Sequence, residues 1–324
     1  MEQTATVTLL PTEPFDFDLS CGIYSRVGNY THTAYIEGKL YKCLDLDGGP
    51  ALITVEEEKD HLRARLYGEG TRKQLETTAG WILSSELDLG PFYEKADEVM
   101  APIARCLCGL KPPRTATVYE ALVIAYTEQQ ISLRVAMAFQ ERIVKRYGER
   151  LQHGPNTFYS FPTPTAIASA DVAELRDLGL SRNKAGFITG LSKMVASGGL
   201  DLEYLKGKPT AEAREALQGI RGVGEWTSDY VLVRGLGRLE MVPYDDIGTR
   251  DSVGLFYKAG ERATRREVEA LLGRFDEYAG LANYYLIYAR FSGVQPRETG
   301  VCRKPFLPAS KEKSVCRQRA ARSP

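Results

Sequence analysis

The sequence predicts an α+β protein: a small antiparallel-sheet N-terminal domain followed by an all-helical domain. Three observations predict it. Apolar and polar residues alternate up to about Ser85, apolar residues recur at helical spacing from about Pro91, and a glycine-rich turn joins two helices near Gly222.

The strand half comes first. "TATVTLL" (4–10), "HTAYIEGKLYKCLDL" (32–46) and "ALITVEEEKDHLRARLYG" (51–68) alternate, with turn dipeptides at Glu37-Gly38 and Gly48-Gly49. "TRKQLETTAGWILSSEL" (71–87) has helical spacing. Beyond Pro91 the strand signal stops. "FYEKADEVMAPIARCL", "VYEALVIAYTEQQISLRVAMAFQERIVKRYG", "TPTAIASADVAELRDLGL", "SRNKAGFITGLSKMVASG", "TRREVEALLGRFDEY" and "GLANYYLIYARFSG" all read as helical. Thr163, Ser181 and Thr264 stand where N-caps belong. These readings divide the chain into a domain over 1–95, a helical domain over 96–296 and a basic tail over 297–324.

Composition bounds the function. The chain has 324 residues and a formal net charge of zero. Its halves differ: residues 1–100 carry 9 Lys/Arg against 18 Asp/Glu, and the remainder carries 33 against 24. An excess of cations toward the C-terminus suggests a polyanionic partner, although a terminal basic run is also an ordinary solvated tail. The six cysteines include no Cys-x-x-Cys, and Cys106 and Cys108 are too close for usual zinc spacing. No apolar run is long enough to span a bilayer, and the start lacks the pattern of a signal peptide. The expectation is a soluble protein of a reducing compartment.

Two stretches carry chemistry. In "LQGIRGVGEWTSDYVLVRGLG" (217–237), glycines at 219, 222 and 224 separate a run of strong helix formers from a second helix. A helix opening after such a turn points backbone amides and its positive dipole end outward, which suits a phosphate; a tight turn without a ligand is the alternative. In "MVPYDDIGTRDSVG" (241–254), Asp245 and Asp246 follow a proline and precede Ile-Gly. Either can cap the following helix.

The two stretches in this order resemble the helix-hairpin-helix–Gly/Pro/Asp (HhH-GPD) superfamily of DNA glycosylases. They are most similar to its 3-methyladenine DNA glycosylase II branch. "EQQIS" (128–132), "GLSRNKAGFITGLSKMVASGGLDLEYL" (179–205) and "ANYYLIYARFSG" (282–293) support the resemblance, which covers most of residues 100–296. The resemblance implies Asp246 as the catalytic residue, with Asp245 as the alternative. It implies phosphate contacts at the amides of Gly222, Gly224 and Trp226. It implies a monovalent cation on the carbonyls of Gln218, Ile220 and Val223, with no cofactor for the chemistry. Trp226 and Tyr230, one turn apart on one helix face, would line a base pocket or simply pack. Tyr288 and Arg290 would stand in the same region, with Arg290 either hydrogen-bonding a flipped base or facing solvent, and Gln130 at the place of the residue that wedges into DNA.

The sequence departs from the branch at four places. Glu128 replaces a usual Gly, and Gln130 replaces a common Leu. "EYAGLA" (277–282) lacks an Arg, and a pocket Trp on the last helix is absent. Bifunctional relatives carry a nucleophilic Lys where Trp226 stands, and no Lys occurs between Leu217 and Glu240. A Schiff base needs that amine. The resemblance therefore implies a monofunctional enzyme that excises damaged, alkylated purines in base excision repair. It further implies double-stranded DNA containing damaged bases as the partner, no membrane, a monomer, and a place in the cytoplasm (nucleoid) if the source is prokaryotic or in the nucleus if it is eukaryotic. Two rivals predict different outcomes: a bifunctional glycosylase/lyase would nick the strand, and a non-catalytic hairpin module would bind without releasing a base.

Overall fold

The computed structural model describes residues 2–26, 32–46 and 49–294. The basic tail, with Cys302 and Cys316, and Gly48 of the expected Gly48-Gly49 turn lie outside the described residues.

In chain order the elements begin with β1 (Gln3–Leu9), α1 (Phe17–Cys21), α2 (Ile23–Arg26), β2 (Thr33–Ile36), β3 (Lys39–Asp45), β4 (Pro50–Glu58), β5 (His61–Gly68) and α3 (Arg72–Ile82). Next come α4 (Gly90–Glu94), α5 (Met100–Cys106), α6 (Val118–Glu128), α7 (Leu133–Tyr147), β6 (Arg150–His153) and β7 (Asn156–Tyr159). The remainder is α8 (Pro164–Ala168), α9 (Val172–Asp177), α10 (Arg182–Ala196), α11 (Thr210–Gln218), α12 (Glu225–Arg234), α13 (Ile247–Tyr257), α14 (Arg265–Leu272) and α15 (Ala279–Phe291).

These elements form two compact units that do not follow the change from strand to helix along the chain. Among the described residues, the first comprises 2–10, 23–26, 32–46, 49–84 and 113–237; the second comprises 11–22, 85–112 and 238–294. Secondary-structure type and compact unit are separate properties. Composition reports the first, and only the contacts report the second.

In the first unit, β1 to β5 form an antiparallel sheet in the order β1-β5-β4-β3-β2. The expected turn at Glu37-Gly38 is present, with φ of +50° and +78°. The sheet is fastened to α6 by a buried cluster. Glu120 of α6 accepts from Lys42 of β3 at 2.6 Å and lies 3.4 Å from His32 Nε2. Burial alone would push the Glu120 carboxyl up, but Lys42 and His32 outweigh it and hold the pKa at about 2. Burial, with Lys42 beside it, lowers the pKa of His32.

The expectation that strands stop near Pro91 is corrected by the β6–β7 hairpin. Its turn uses Gly154 at φ +56°. Leu151 and Phe158 pack with Cys43 and Leu52, and the Phe158 ring stacks on Tyr41 at 4.9 Å. Strands of four residues offer too few inward positions for alternation to be visible.

Helices read as continuous are also broken, each by a named residue. Asp97 separates α4 from α5 by accepting the amides of Val99 and Met100. Asp171 caps α9 in a capping box with Glu174. Thr163, Ser181 and Thr264 cap α8, α10 and α14 as expected.

The second unit has its own core, in which Leu19, Phe92, Met100, Val253, Phe275, Tyr285 and Leu286 are buried together. Lys111, fully buried, donates to the carbonyls of Thr12 and Ser85 and so ties the two N-terminal segments of this unit together. Cys106 and Cys108, at the end of α5, are disulfide-bonded. No helix among the described residues is long and apolar enough to cross a membrane.

Candidate functional site

In the first unit, α11 and α12 are joined by the glycine turn. Gly219 caps the end of α11, its amide bonded to the carbonyls of Glu215 and Leu217. The amides of Ile220 and Val223 bond back to Leu217 and Ile220, at 3.0 Å each, which closes the turn. Gly222 stands at φ +84°, and a Cβ there would lie 2.5 Å from the Phe187 ring. Glycine is therefore required twice, by conformation and by space. Gly224 is the N-cap of α12, no side chain caps the helix, and a Cβ at Gly224 would meet nothing within 4 Å. A helix start without a side-chain cap suits an anion. The turn is braced from behind, where the Tyr126 hydroxyl donates to the Arg221 carbonyl at 2.8 Å.

Gln218 and Val223 line a shallow depression with Arg214, Gly224 and Glu225. The Ile220 carbonyl already accepts the Val223 amide.

Trp226 and Tyr230 lie one turn apart on α12, with ring centroids 5.6 Å apart and planes inclined at 31°. Both are half-buried. Beneath them, Asp229 is 1 % exposed and lies 2.7 Å from the Arg214 guanidinium.

Gln130 occupies a break between α6 and α7, at φ +56°. Residues 130–135 are all exposed, including Ile131, Leu133 and Val135. Sequence reading missed the residues that hold this break. Lys184 of α10 donates to the carbonyls of Thr127 and Gln129 at 2.9 and 2.6 Å. Gln129 donates to the Gly222 carbonyl and the Thr227 hydroxyl. The available signal was the polar run "EQQ" followed by Ser132, which stands as the N-cap of α7.

In the second unit, Asp246 is the N-cap of α13, and its Oδ1 accepts the Thr249 amide at 2.9 Å. Its own amide bonds to the Pro243 carbonyl at 2.9 Å, which closes the Pro243–Asp246 turn. The turn is anchored because Leu239, four residues earlier, offers its carbonyl to the amides of Gly280 and Leu281 at the start of α15. Thr249 is fully buried, and its hydroxyl accepts from Asn283 of α15 at 3.0 Å. Asp245 points elsewhere, bonded to Arg265 of α14 at 2.6 Å and exposed to solvent. Neighbouring carboxylates thus have different surroundings: one is tied to a helix start, the other to a surface arginine.

Two residues implied for the base pocket sit as follows. Tyr288 is 4 % exposed, and its hydroxyl donates to the Leu19 carbonyl at 2.8 Å, so it belongs to the core of the second unit. Its place near the end of the last helix gave no sign of this burial. Arg290 is half-buried and donates to Asp251 of α13 at 3.2 Å, an aspartate that also binds Arg262.

Comparison with known proteins agrees with this arrangement. Residues 123–276 match the family described as "HhH-GPD superfamily base excision DNA repair protein". The chain is 31 % identical over 201 residues to a DNA-3-methyladenine glycosylase of Bacillus subtilis, covering 61 % of this chain and 66 % of that one. It is 31 % identical over 138 residues to DNA-3-methyladenine glycosylase 2 of Escherichia coli, covering 43 % and 48 %. The chain thus spans between 48 % and 66 % of the length of these curated relatives. Its fold is similar to that of the 3-methyladenine DNA glycosylase from Archaeoglobus fulgidus, with a TM-score of 0.77 and 27 % identity over 89 % of this chain and 99 % of that one. With the hairpin and the helix-capping aspartate in place, these likenesses assign residues 123–276 to the HhH-GPD superfamily and make the chain similar to its 3-methyladenine DNA glycosylase II-like branch.

Proposed function

We propose that the protein is a monofunctional DNA N-glycosylase. It acts as a monomer on double-stranded DNA, releases damaged purines, principally alkylated ones, and leaves an abasic site. The single observation that carries this reading is Asp246, a carboxylate fixed at the start of α13 by the Thr249 amide.

Breaking a base–sugar bond builds positive charge on the deoxyribose. A fixed carboxylate about 4 Å away contributes roughly 4 kcal/mol at an effective dielectric near 20. At about 1.4 kcal/mol per decade, that is roughly a thousandfold in rate. The same carboxylate orients the attacking water. Asp246 is suited to this because the bond from Thr249 fixes one oxygen in advance.

The base must first leave the helix, at a cost of a few kcal/mol that is least for a damaged or mispaired base. Trp226 and Tyr230 offer electron-rich rings to it. A cationic alkylated purine gains from them what a neutral base does not. The absence of a lysine between Leu217 and Glu240 supports hydrolysis by water over a lyase route. Uncapped amides at the start of α12 would hold a DNA phosphate. A sodium or potassium ion on the carbonyls of Gln218, Ile220 and Val223 would add positive charge beside it.

The test is base release from duplexes carrying 3-methyladenine, 7-methylguanine, hypoxanthine or 8-oxoguanine, with strand integrity read before and after alkali. Release of the alkylated purines with the strand intact until alkali supports the reading. Nicking without alkali, or binding without release of any base, contradicts it.

A further inference from the structure

Lys184 is the kind of residue that would be assigned to a DNA phosphate: a lysine on the first turn of a helix. Its hydrogen bonds run the other way. The ammonium group donates to the carbonyl of Thr127, in the last turn of α6, and to that of Gln129, the residue that ends the helix. The Thr127 oxygen, in the last turn, has no partner within the helix and lies at its negative dipole end, so a cation suits it twice over. Gln129 then uses its side-chain amide on the Gly222 carbonyl at 3.0 Å and the Thr227 hydroxyl at 2.9 Å, which bridges α6 to the apex of the hairpin and the first turn of α12. Between these fastenings and α7 stands Gln130, in a left-handed conformation that a non-glycine residue keeps only where its surroundings impose it. The exposed tip of residues 130–135 is the outcome.

We propose that Lys184 and Gln129 are positioning residues that lock the 130–135 tip to the phosphate-binding hairpin, so that the segment filling the vacated base stack is already formed when the hairpin seats on DNA. This rests on the glycosylase reading above. A loose tip would have to be ordered at the moment of insertion, and that ordering would weaken the insertion step. A tip fastened to the hairpin arrives in register with it. Ile131 and Leu133 add apolar surface to a tip whose wedge position holds the polar Gln130.

The experiment uses duplex DNA with 2-aminopurine beside a synthetic abasic site, whose fluorescence rises when a protein side chain enters and unstacks the neighbour. This readout needs no base release, so it stands apart from the proposed activity, which is measured in parallel on 7-methylguanine duplexes. Parent, Lys184→Met, Lys184→Arg and Gln129→Ala proteins are compared. Loss of charge-assisted hydrogen bonds predicts a drop of about tenfold in the insertion constant for Lys184→Met and somewhat less for Gln129→Ala. Affinity for undamaged duplex should stay within about twofold and its salt slope should not change, because no phosphate contact is lost. Lys184→Arg should restore insertion to within about threefold, since a guanidinium can still reach both carbonyls. Three results would overturn the proposal. They are undiminished insertion in both Lys184→Met and Gln129→Ala, a salt slope reduced by about one in Lys184→Met, or a loss that tracks thermal stability and vanishes on cooling.

Discussion

Asp246 and Thr249 are joined across the first turn of α13, where the carboxylate Oδ1 accepts the threonine amide at 2.9 Å. Helix capping and catalysis are usually weighed as rival explanations of an aspartate at a helix start. In the proposed mechanism they coincide, because the cap bond is what fixes the carboxylate. Thr249 is in turn held by Asn283, so the aspartate's support reaches back into α15.

The first prediction separates the adjacent carboxylates. Asn caps helices about as well as Asp. Asp246→Asn should therefore keep its fold and its DNA binding and lose about two to four decades of single-turnover base release. Asp245→Asn removes only an exposed pair with Arg265 and should change the rate by less than about threefold. Reversed effects would move the catalytic role to Asp245.

The hairpin glycines should behave differently from each other. Gly222→Ala meets a ring and a left-handed φ, so it should lower the melting temperature and disrupt the turn. Gly224→Ala has open space at an ordinary φ and should fold normally. A methyl group at the phosphate site should nevertheless weaken binding to all DNA sequences alike. Titrations of several unrelated duplexes check this, and a sequence-dependent loss would contradict a phosphate contact.

The buried cluster of Glu120, Lys42 and His32 predicts how stability depends on pH. The Glu120 pKa falls from an ordinary 4.5 to about 2 in the folded protein, so its contribution is present above pH 4.5 and is lost as pH falls toward 2. His32 is lowered from 6.5, so the unfolded chain binds its proton first and stability also declines as pH drops below that value. Both groups act in the same direction. Glu120→Gln should flatten the acid limb of a denaturation series and, by leaving Lys42 buried without its counter-charge, cost about 3–5 kcal/mol near neutrality. An acid limb unchanged by the substitution would show that the cluster does not set it.

Trp226→Ala should impair excision through lost stacking worth about 1–3 kcal/mol per base, which is roughly one to two decades in rate. Nonspecific binding should stay nearly constant. A variant that excises normally would assign Trp226 to packing alone.

Much of this molecule is legible in the sequence where local chemistry decides. Alternation located the five-stranded sheet, threonine and serine N-caps fixed three helix starts, and the spacing of glycines located the hairpin. The parts that stayed hidden depend on distant partners. The break at Gln129 and Gln130 is imposed by Lys184, more than fifty residues downstream, within a stretch whose spacing alone favours one long helix. Tyr288 carries the same aromatic signal as Trp226, yet its hydroxyl reaches Leu19, 269 residues away in sequence. No periodicity reports such a contact.

The central claim is that this protein cuts the base–sugar bond with water and leaves the strand whole. The direct measurement is a single-turnover assay on a duplex carrying 7-methylguanine, in which freed base and strand breaks are followed in the same samples with and without alkali and with borohydride present. The account predicts base release at a rate that Asp246→Asn lowers by about two to four decades, breaks only after alkali, and no borohydride-trapped protein–DNA adduct. Breaks that accumulate without alkali at the pace of base release, or a trapped adduct, would contradict it.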